Sequence, residues 1–290
     1  MKPEIYIARL GALTCKKSNL KAQSAEFRRL VRLFYRQHGR DFSWRKTRNP
    51  YRILVSEVML QQTQTSRVSE RYPKFLERFP TVKALAAAPL YEVLKIWEGM
   101  GYYRRAKNLH ACAQYVCESF NGRIPKEYDT LLSLPGIGSY TAAAISVFAH
   151  NIAIPMIETN IRCVYTHTFF PERIQVTDKE IMVLIDKTMD RNHPREWFYS
   201  LMDIGVVLKK YDSSLNQRST QYVRQSKFHG SNRELAAKIL KLVLHPPYSV
   251  SIRKLATLLD ADQNRVQEQV SRLKTDKLIR VSSKGIIERI

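Results

Sequence analysis

The sequence has few cysteines, few acidic residues and no long apolar segment. No cysteine pair has CxxC spacing, which argues against a metal site or a disulfide framework. No apolar run approaches the ~20 residues that span a bilayer, and the basic N-terminus lacks the apolar region and cleavage site of a signal peptide. We expect an intracellular protein of the cytoplasm, nucleoid or nucleus, without membrane contact, in which the cysteines are small buried or half-buried residues: Cys15, Cys112, Cys117 and Cys163.

The scarcity of acid leaves a large positive excess. Lys and Arg number 48 against 26 Asp and Glu, a net charge of +22, and the excess is spread along the 290 residues. Membrane surfaces, RNA and DNA all attract such a protein. A 44% hydrophobic fraction and 15 tyrosines indicate a folded core and fit nucleic acid best. Charge alone gives salt-dependent affinity, not a function.

Alternation of period two is rare before residue 245, so the main domain is predicted to be all-α. We predict four regions: a loose basic leader (1–24), a helical domain (25–208), a basic linker (209–230) and a C-terminal domain (231–290). The last reads as three helices followed by two short strands, the make-up of a winged helix, whose usual use is DNA binding. A small packing or protein-contact module is the alternative.

The segment LPGIGSY at residues 134–140 predicts a short helix, a glycine turn and a second helix. Gly136 and Gly138 have no Cβ and would let the backbone approach a flat surface closely. The unpaired N–H groups and the dipole of the second helix form an anion site. We expect the turn to hold DNA phosphates without reading sequence, through Gly136, Gly138, Ser139 and Thr141. An ordinary helix connection is the alternative.

Two acids from distant segments are candidates for catalysis. Glu57 lies within a predicted helix among Leu54, Val55, Val58 and Leu60. Partial burial would raise its pKa and favour a protonated general acid near neutral pH. Glu158 follows an apolar extended run, where a second helix begins. Two carboxyl groups facing one cleft are what N-glycosidic cleavage needs, although each alone also fits a surface or capping residue.

Six segments together carry a family resemblance: PY (50–51), SEVMLQQTQ (56–64), FPTV (79–82), WEGMGYY (97–103), AKNLH (106–110) and LPGIGSYT (134–141). The chain resembles the helix-hairpin-helix DNA glycosylase superfamily and, within it, the A/G-specific adenine glycosylases of the MutY type. The segments run in family order over about residues 27–208, and SEVMLQQTQ is far more specific than a hairpin alone. The resemblance implies two helical subdomains, followed here by the predicted winged helix.

The resemblance also implies catalytic roles. Glu57 sits where the family's acid protonates the flipped adenine, and Glu158 where the family has an aspartate that stabilises the cationic sugar. Tyr140 occupies the position of a lysine in the related lyases. Without that lysine there is no obvious amine for a Schiff base, so the resemblance points to a monofunctional glycosylase.

Further residues match the part of the family's site that handles the DNA. Gln62 and Tyr102 match residues that wedge into the duplex, and Trp44, Arg45 and Leu60 match walls of the adenine pocket. Base flipping requires such a pocket and such a filler. Core packing is the alternative for Tyr102 and Trp44.

The sequence departs from the family in three places. Glu158 is one methylene longer than aspartate, roughly 1.5 Å of extra reach, and lies in IETNI (157–161) rather than an Asp-Gly-Asn segment. The region 209–230 lacks the cysteines that hold an iron–sulfur cluster in most relatives, so we predict no cluster. The predicted winged helix stands in place of the family's C-terminal domain that reads 8-oxoguanine. In the cluster's place we expect phosphate contacts from Lys209, Lys210, Arg218, Arg224 and Lys227.

The sequence thus predicts a monomeric, monofunctional glycosylase of base excision repair. Its substrate would be double-stranded DNA with adenine opposite 8-oxoguanine or guanine. A thymine or uracil mismatch glycosylase with the same acids is the alternative within enzymes. A non-catalytic DNA-binding protein is the alternative outside them, although two negative charges beside DNA would then only weaken binding.

Overall fold

The computed structural model describes residues 1–13, 20–223, 227–246 and 249–290. These residues are mostly helical, as predicted. They form two compact units, one of residues 1–53, 126–132 and 138–224, the other of residues 54–125, 133–137 and 225–290. Within the described ranges, no helix is both long and apolar enough to cross a membrane.

The helices, in chain order, are α1 (Pro3–Gly11), α2 (Leu20–His38), α3 (Pro50–Leu60), α4 (Thr65–Arg78), α5 (Val82–Ala87), α6 (Leu90–Ile96), α7 (Arg104–Phe120), α8 (Tyr128–Leu132), α9 (Ser139–His150), α10 (Thr159–Phe169), α11 (Asp178–Thr188), α12 (Pro194–Tyr211), α13 (Asn232–Leu244), α14 (Ile252–Leu259) and α15 (Gln263–Thr275). Three short strands are β1 (Ser249–Ser251), β2 (Ile279–Val281) and β3 (Ile286–Arg289).

Helix α9 is the centre of the first unit. Every residue from Thr141 to Ala149 is buried, and its three consecutive alanines suit close packing on all sides. Helix α12 packs against α2, α9 and α10. An aromatic cluster supports them: the ring of Phe27 makes edge contacts at 5.2–5.4 Å with Tyr165, Phe169 and Trp197. These contacts hold the C-terminal half of α10, the helix that Glu158 caps at its other end.

The predicted loose leader is wrong for most of its length. Residues 3–11 form α1, and α2 already begins at Leu20; residues 14–19, which include Cys15, lie outside the described ranges. Tyr6, Ile7 and Leu10 are buried on one face of α1, and Tyr6 makes an edge contact with Phe34 of α2 at 5.4 Å. An apolar stripe at helical spacing buries against a neighbouring helix, and that burial orders the segment.

In the second unit, α7 packs against α5 and α6. The core is aromatic, with Phe75 in edge contact with Phe79 at 5.1 Å and with Trp97 at 5.9 Å. Trp97 is fully buried, and its indole N–H donates to the carbonyl of Gly101 at 3.1 Å. This bond ties down the turn that follows α6 and leads to Tyr102.

Residues 231–290, hereafter the C-terminal module, contain α13 to α15 and a three-stranded antiparallel sheet in the order β1–β3–β2. Two strands were expected from the sequence, and β1 is the addition. Val250 of β1 and Val281 of β2 both pair with Ile287 of β3, which is fully buried. A three-residue strand is too short to show alternation, which explains why its pattern did not predict it.

The predicted linker is partly ordered. Helix α12 continues through Lys209 and Lys210 to Tyr211, and a 3₁₀ turn follows at Ser213–Arg218. Leu215 of this turn is buried, and Arg218 donates to the carbonyls of Phe170 and Arg173. The guanidinium of Arg218 therefore holds a loop, a structural role that the sequence did not indicate, whereas Arg224 lies outside the described ranges.

Candidate active site

Glu57 lies near the end of α3 and is buried, with 5% of its surface exposed. Its apolar neighbours Leu54, Val55 and Val58 are buried with it, as the sequence indicated. Glu57 lies one turn before the end of α3, and Gln61 follows directly after the helix ends. Leu60, predicted to line the base pocket, ends the helix and is half-exposed.

A small pocket opens at the end of α3; Val58 lines it, whereas Glu57 does not. All of its lining belongs to the second unit. Its walls come from the end of α3, from α7 and from the glycine turn: Val58, Gln61, Arg105, Asn108, Leu109, Pro135, Gly136 and Ile137. The pocket therefore places the acid-bearing helix and the turn predicted to hold DNA around one concavity.

Arg105 of α7 connects the two loops that carry the predicted wedge residues. Its guanidinium donates to the carbonyls of Val58 at 2.9 Å and Met59 at 3.0 Å, which the end of α3 leaves without helical partners. It also donates to the carbonyl of Gln61 and to the Thr63 hydroxyl, on either side of Gln62. Burial lowers the pKa of Arg105 to about 10, so the guanidinium stays charged at neutral pH.

The same guanidinium reaches the second loop. It donates to the carbonyls of Met100 at 3.1 Å and Gly101 at 3.3 Å, directly before Tyr102. Gln62 and Tyr102 both adopt left-handed backbone conformations, with φ of 53° and 46°, which are uncommon for residues with a side chain. Gln62 is exposed and Tyr102 half-exposed. Arg105 thus fixes two residues with strained backbones and accessible side chains relative to one another. The sequence did not predict this role.

Glu158 lies in the first unit and caps α10. One carboxylate oxygen accepts from the backbone N–H groups of Asn160 and Ile161, both at 2.9 Å, and the other accepts from the Asn160 side chain at 3.0 Å. The side chain therefore folds back over the helix start, so its extra methylene is used in the bend. The capping alternative from the sequence is what the structure shows, and a capping carboxylate can still face a substrate.

Charge and burial act in opposite directions on Glu158. Burial raises the pKa of its carboxyl above the ordinary value, opposed by the backbone N–H groups and by the charges of Lys209 and Arg162. Arg162 is itself paired with Asp178, with two N–O distances of 2.7 Å. Lys209, predicted to contact phosphate, supplies positive charge near this carboxyl; the phosphate contact stays a prediction.

Gly205 of α12 sets the position of the same helix start. A Cβ added there would lie 2.3 Å from the carbonyl oxygen of Asn160 and 2.6 Å from its Cβ. Only glycine lets α12 approach the first turn of α10 this closely. The cap that holds Glu158 therefore rests directly on the backbone of α12.

Trp44 and Arg45, which were predicted to line the adenine pocket, lie in the first unit and make core contacts there. Trp44 is buried, and the Arg45 side chain is 7% exposed. The guanidinium of Arg45 forms a two-pronged ion pair with the carboxylate of Asp203, at 2.8 Å for each N–O pair. The ring of Trp44 stacks on Phe42 at 4.6 Å. Arg45 therefore neutralises a buried acid and packs the core.

The residues of the glycine turn that were predicted to hold phosphate differ in exposure and in packing. Gly136 has φ of 75°, and a Cβ there would lie 2.6 Å from the Asn108 Cβ, so this glycine is structural. Gly138 has open space around it and precedes α9; Gly138 and Ser139 are exposed. Thr141 is buried, 3% exposed, so its side chain suits the core better than the phosphate contact that we expected. Tyr140 is half-buried at the start of α9.

The predicted residues therefore fall into two sets. Glu57, Leu60, Gln62 and Tyr102 belong to the second unit; Trp44, Arg45, Tyr140 and Glu158 belong to the first. Arg105 joins the loops of the two predicted wedge residues. Glu158 lies apart from them in the first unit, near the charges of Arg162 and Lys209.

Two of the described cysteines, Cys112 and Cys163, are buried, protonated thiols. Burial raises the pKa of Cys112 to about 12 and that of Cys163 to about 11, and the Cys163 thiol donates to the Asn216 side chain at 2.8 Å. Metal binding requires thiolates. Within the part of the chain that the structure describes, no three His, Cys, Asp or Glu side chains gather as a metal site. Residues 209–230 contain no cysteine and so do not fit an iron–sulfur cluster.

Residues 55–189 match the family described as HhH-GPD superfamily base excision DNA repair protein. Over this stretch, which is somewhat less than half of its length, the chain is similar to that superfamily. The HhH-GPD stretch contains Glu57, both wedge residues, the glycine turn and Glu158, whereas Trp44, Arg45 and the C-terminal module lie outside it.

Two relatives and one solved structure show which proteins of known name the chain is similar to. The chain is 46% identical over 134 residues to an adenine DNA glycosylase of Mycolicibacterium smegmatis, covering 46% of each chain. It is 36% identical over 180 residues to one of Buchnera aphidicola, covering 60% of this chain and 50% of the relative. The chain thus spans about half the length of these relatives. A solved thermostable thymine-DNA glycosylase aligns with a TM-score of 0.58 at 25% identity, over 69% of this chain and 96% of its own.

Proposed function

We propose that this protein is a monofunctional DNA glycosylase that removes adenine mispaired with 8-oxoguanine or guanine. The observation that carries the proposal is the buried Glu57 in the SEVMLQQTQ segment, within the stretch that matches the HhH-GPD superfamily; the relatives that the chain resembles are adenine DNA glycosylases. Binding alone requires no buried acid on the helix whose end lines a pocket. A carboxyl group placed there is suited to protonating a base.

In the proposed reaction, the bond between the sugar C1′ and adenine N9 breaks and its electron pair goes to the base. Glu57 donates a proton to the adenine ring as it leaves, which avoids an anionic leaving group. The developing positive charge on the sugar is stabilised by the ionised carboxylate of Glu158, and water then adds to C1′ and loses a proton. The three hydrogen bonds of the cap hold the Glu158 carboxylate in one orientation before the charge develops.

Tyr140 supports hydrolysis without strand cleavage. A phenol cannot form the Schiff base through which lyases break the DNA backbone. We therefore propose that the product is an abasic site and that strand breakage requires added alkali. Breakage without alkali would contradict this part of the proposal.

The remaining proposed DNA contacts are made by residues that are exposed or half-exposed in the structure. Gly138 and Ser139 would hold a phosphate at the start of α9, and Gln62 and Tyr102 would fill the space of the flipped base. We further propose that the C-terminal module, with its helices and strands in winged-helix order, binds DNA, and that the protein works as a monomer without an iron–sulfur cluster. Iron analysis and visible absorbance of the purified protein test the last point.

The deciding experiment offers duplexes with A:8-oxoG, A:G, T:G and U:G pairs and measures alkali-induced breakage. We expect excision of adenine, abolished by Glu57→Gln while DNA binding persists. Excision of thymine or uracil instead would establish the alternative that the thymine-DNA glycosylase structure raises. Full activity of Glu57→Gln would overturn the acid assignment, and no excision from any duplex would leave a DNA-binding protein.

A further inference from the structure

A residue of the C-terminal module contacts the predicted wedge tyrosine. Arg233, in the first turn of α13, donates a hydrogen bond to the hydroxyl of Tyr102. Its guanidinium carbon also lies 5.4 Å from the centroid of the Tyr102 ring, within the range of a cation–π interaction. Both residues belong to the second unit.

The other end of α13 holds the same loop at Glu98. Its carboxylate accepts from Lys241 at 3.1 Å and pairs with His245 at 2.9 Å. Burial alone would raise the pKa of Glu98, but the hydrogen bonds from His245 and Lys241 outweigh it and lower that pKa. Eight residues of helix separate Arg233 from Lys241, about 12 Å at 1.5 Å per residue. Helix α13 therefore spans the loop from Glu98 to Tyr102.

Three more contacts fix the module to the rest of the second unit. Asp276, at the end of α15, accepts from Lys107 at its carbonyl, 2.8 Å away, and pairs with Arg104 at 3.4 Å. The guanidinium carbon of Arg289 lies 4.3 Å from the centroid of the Tyr91 ring. The module is thus held by α6, by α7 and by the loop between them.

Tyr102 is a residue whose position needs support. Its φ of 46° is strained for a side-chain-bearing residue. The preceding carbonyl of Gly101 is held by Trp97 and Arg105, and the guanidinium carbon of Arg105 also lies 5.4 Å from the Tyr102 ring centroid. The second unit thus fixes the backbone, and the module adds a bond at the far end of the side chain.

We infer that Arg233 is a positioning residue for reading the duplex. The C-terminal module holds Tyr102 in the orientation that enters the base stack, so the module completes the lesion site and is more than a separate DNA tether. This inference rests on the proposed function, which gives Tyr102 its wedge role. It predicts that loss of one hydrogen bond in the module slows base removal.

The test combines Arg233→Ala, Arg233→Lys and Tyr102→Phe with the Arg233→Ala/Tyr102→Phe double variant. The matched control is Lys238→Ala, which removes one positive charge from the same helix, where Lys238 pairs with Glu234 at 3.0 Å inside the module. We expect Arg233→Ala and Tyr102→Phe each to slow single-turnover excision about five- to tenfold, the effect of one hydrogen bond. The double variant should be no slower than either single variant, and Arg233→Lys should recover part of the rate.

Affinity and stability separate positioning from general damage. Duplex Kd should change less than about twofold in all variants, because Arg233 acts through Tyr102. Lys238→Ala should match the wild type in rate, affinity and unfolding temperature. A wild-type rate for Arg233→Ala, or losses that add in the double variant, would overturn the inference.

A fluorescence measurement decides the inference even if the proposed function fails. A duplex with 2-aminopurine at the target position brightens when that base leaves the stack, whether or not any bond is cleaved. We expect the brightening on binding to fall with Arg233→Ala and to persist with Lys238→Ala. An equal rise for wild type and Arg233→Ala, or no rise with wild type, would overturn the inference; absence of excision from every duplex would overturn only the proposed function.

Discussion

Replacing Arg105 with lysine tests the role of the guanidinium that joins the wedge loops. Arg105 donates to five carbonyls and one hydroxyl. A lysine carries three donors on one nitrogen, so at least half of these acceptors lose their partner. A net hydrogen bond contributes about 1 kcal/mol, which gives ~3 kcal/mol of lost stability.

The expected readouts are a thermal unfolding temperature lower by about 5–10 °C and single-turnover excision slower by at least about tenfold. Activity falls because Gln62 and Tyr102 lose their shared support. Arg104→Lys is the matched control: its side chain is 73% exposed, and a lysine can keep the ion pair with Asp276. That control should stay within about 0.5 kcal/mol of wild type.

Thr63→Val provides a milder step should the Arg105 variant fold poorly. It removes one acceptor, the hydroxyl 3.0 Å from the guanidinium, and should cost about 1 kcal/mol. An Arg105→Lys protein that melts and excises like wild type would refute the reasoning, because it would show that the two loops keep their geometry without the guanidinium.

Three further predictions follow from glycines and from the Glu158 cap. Because burial raises the folded-state pKa of Glu158, that group contributes stability below its unfolded pKa and loses it as pH rises through the folded pKa. Glu158→Gln, whose amide can donate to the buried, unpartnered Asn160 Oδ1, should abolish excision. It should melt above wild type at alkaline pH, above the folded-state pKa, with the gap narrowing on acidification; a gap that widens on acidification contradicts this. Gly205→Ala should lower the free energy of unfolding by about 2–3 kcal/mol in denaturant titrations, since its Cβ would meet the carbonyl of Asn160 at 2.3 Å; unchanged stability contradicts the close packing. The Cβ of Gly138→Ala meets open space, so this variant should melt like wild type but bind duplex about tenfold more weakly. Gly136→Ala, at φ of 75°, should lower the melting temperature. Calorimetry and binding titrations check both variants, and equal behaviour would contradict a structural role for Gly136 and a DNA-binding role for Gly138.

Burial and helix starts that depend on neighbouring residues were predictable from the sequence. The apolar neighbours of Glu57 indicated its burial, and α10 and α12 begin where Thr159 and Pro194 suggested. Helix α1 was missed because its apolar stripe is only nine residues of helix long, too short to stand out from a basic segment. Its order comes from contact with α2, which no local pattern encodes.

The support of the site was not predictable for a different reason. Arg105 acts mainly on backbone carbonyls, which every residue has, so its partners leave no trace in the sequence. Arg233 lies 131 positions from Tyr102, and such a pair carries no spacing signal. Glu158 was predicted to have either a catalytic or a capping role; the structure shows the cap, and the catalytic role stays a prediction.

The two units are interleaved along the chain, and this bears on how the protein is made. The second unit takes residues from three separate stretches, the last beginning at 225, and the first unit also takes three. During synthesis, helices α4 to α7 leave the ribosome long before α13, so they wait without the neighbour that covers the loop at Glu98. Shortened chains ending before residue 225 should expose that surface to aggregation.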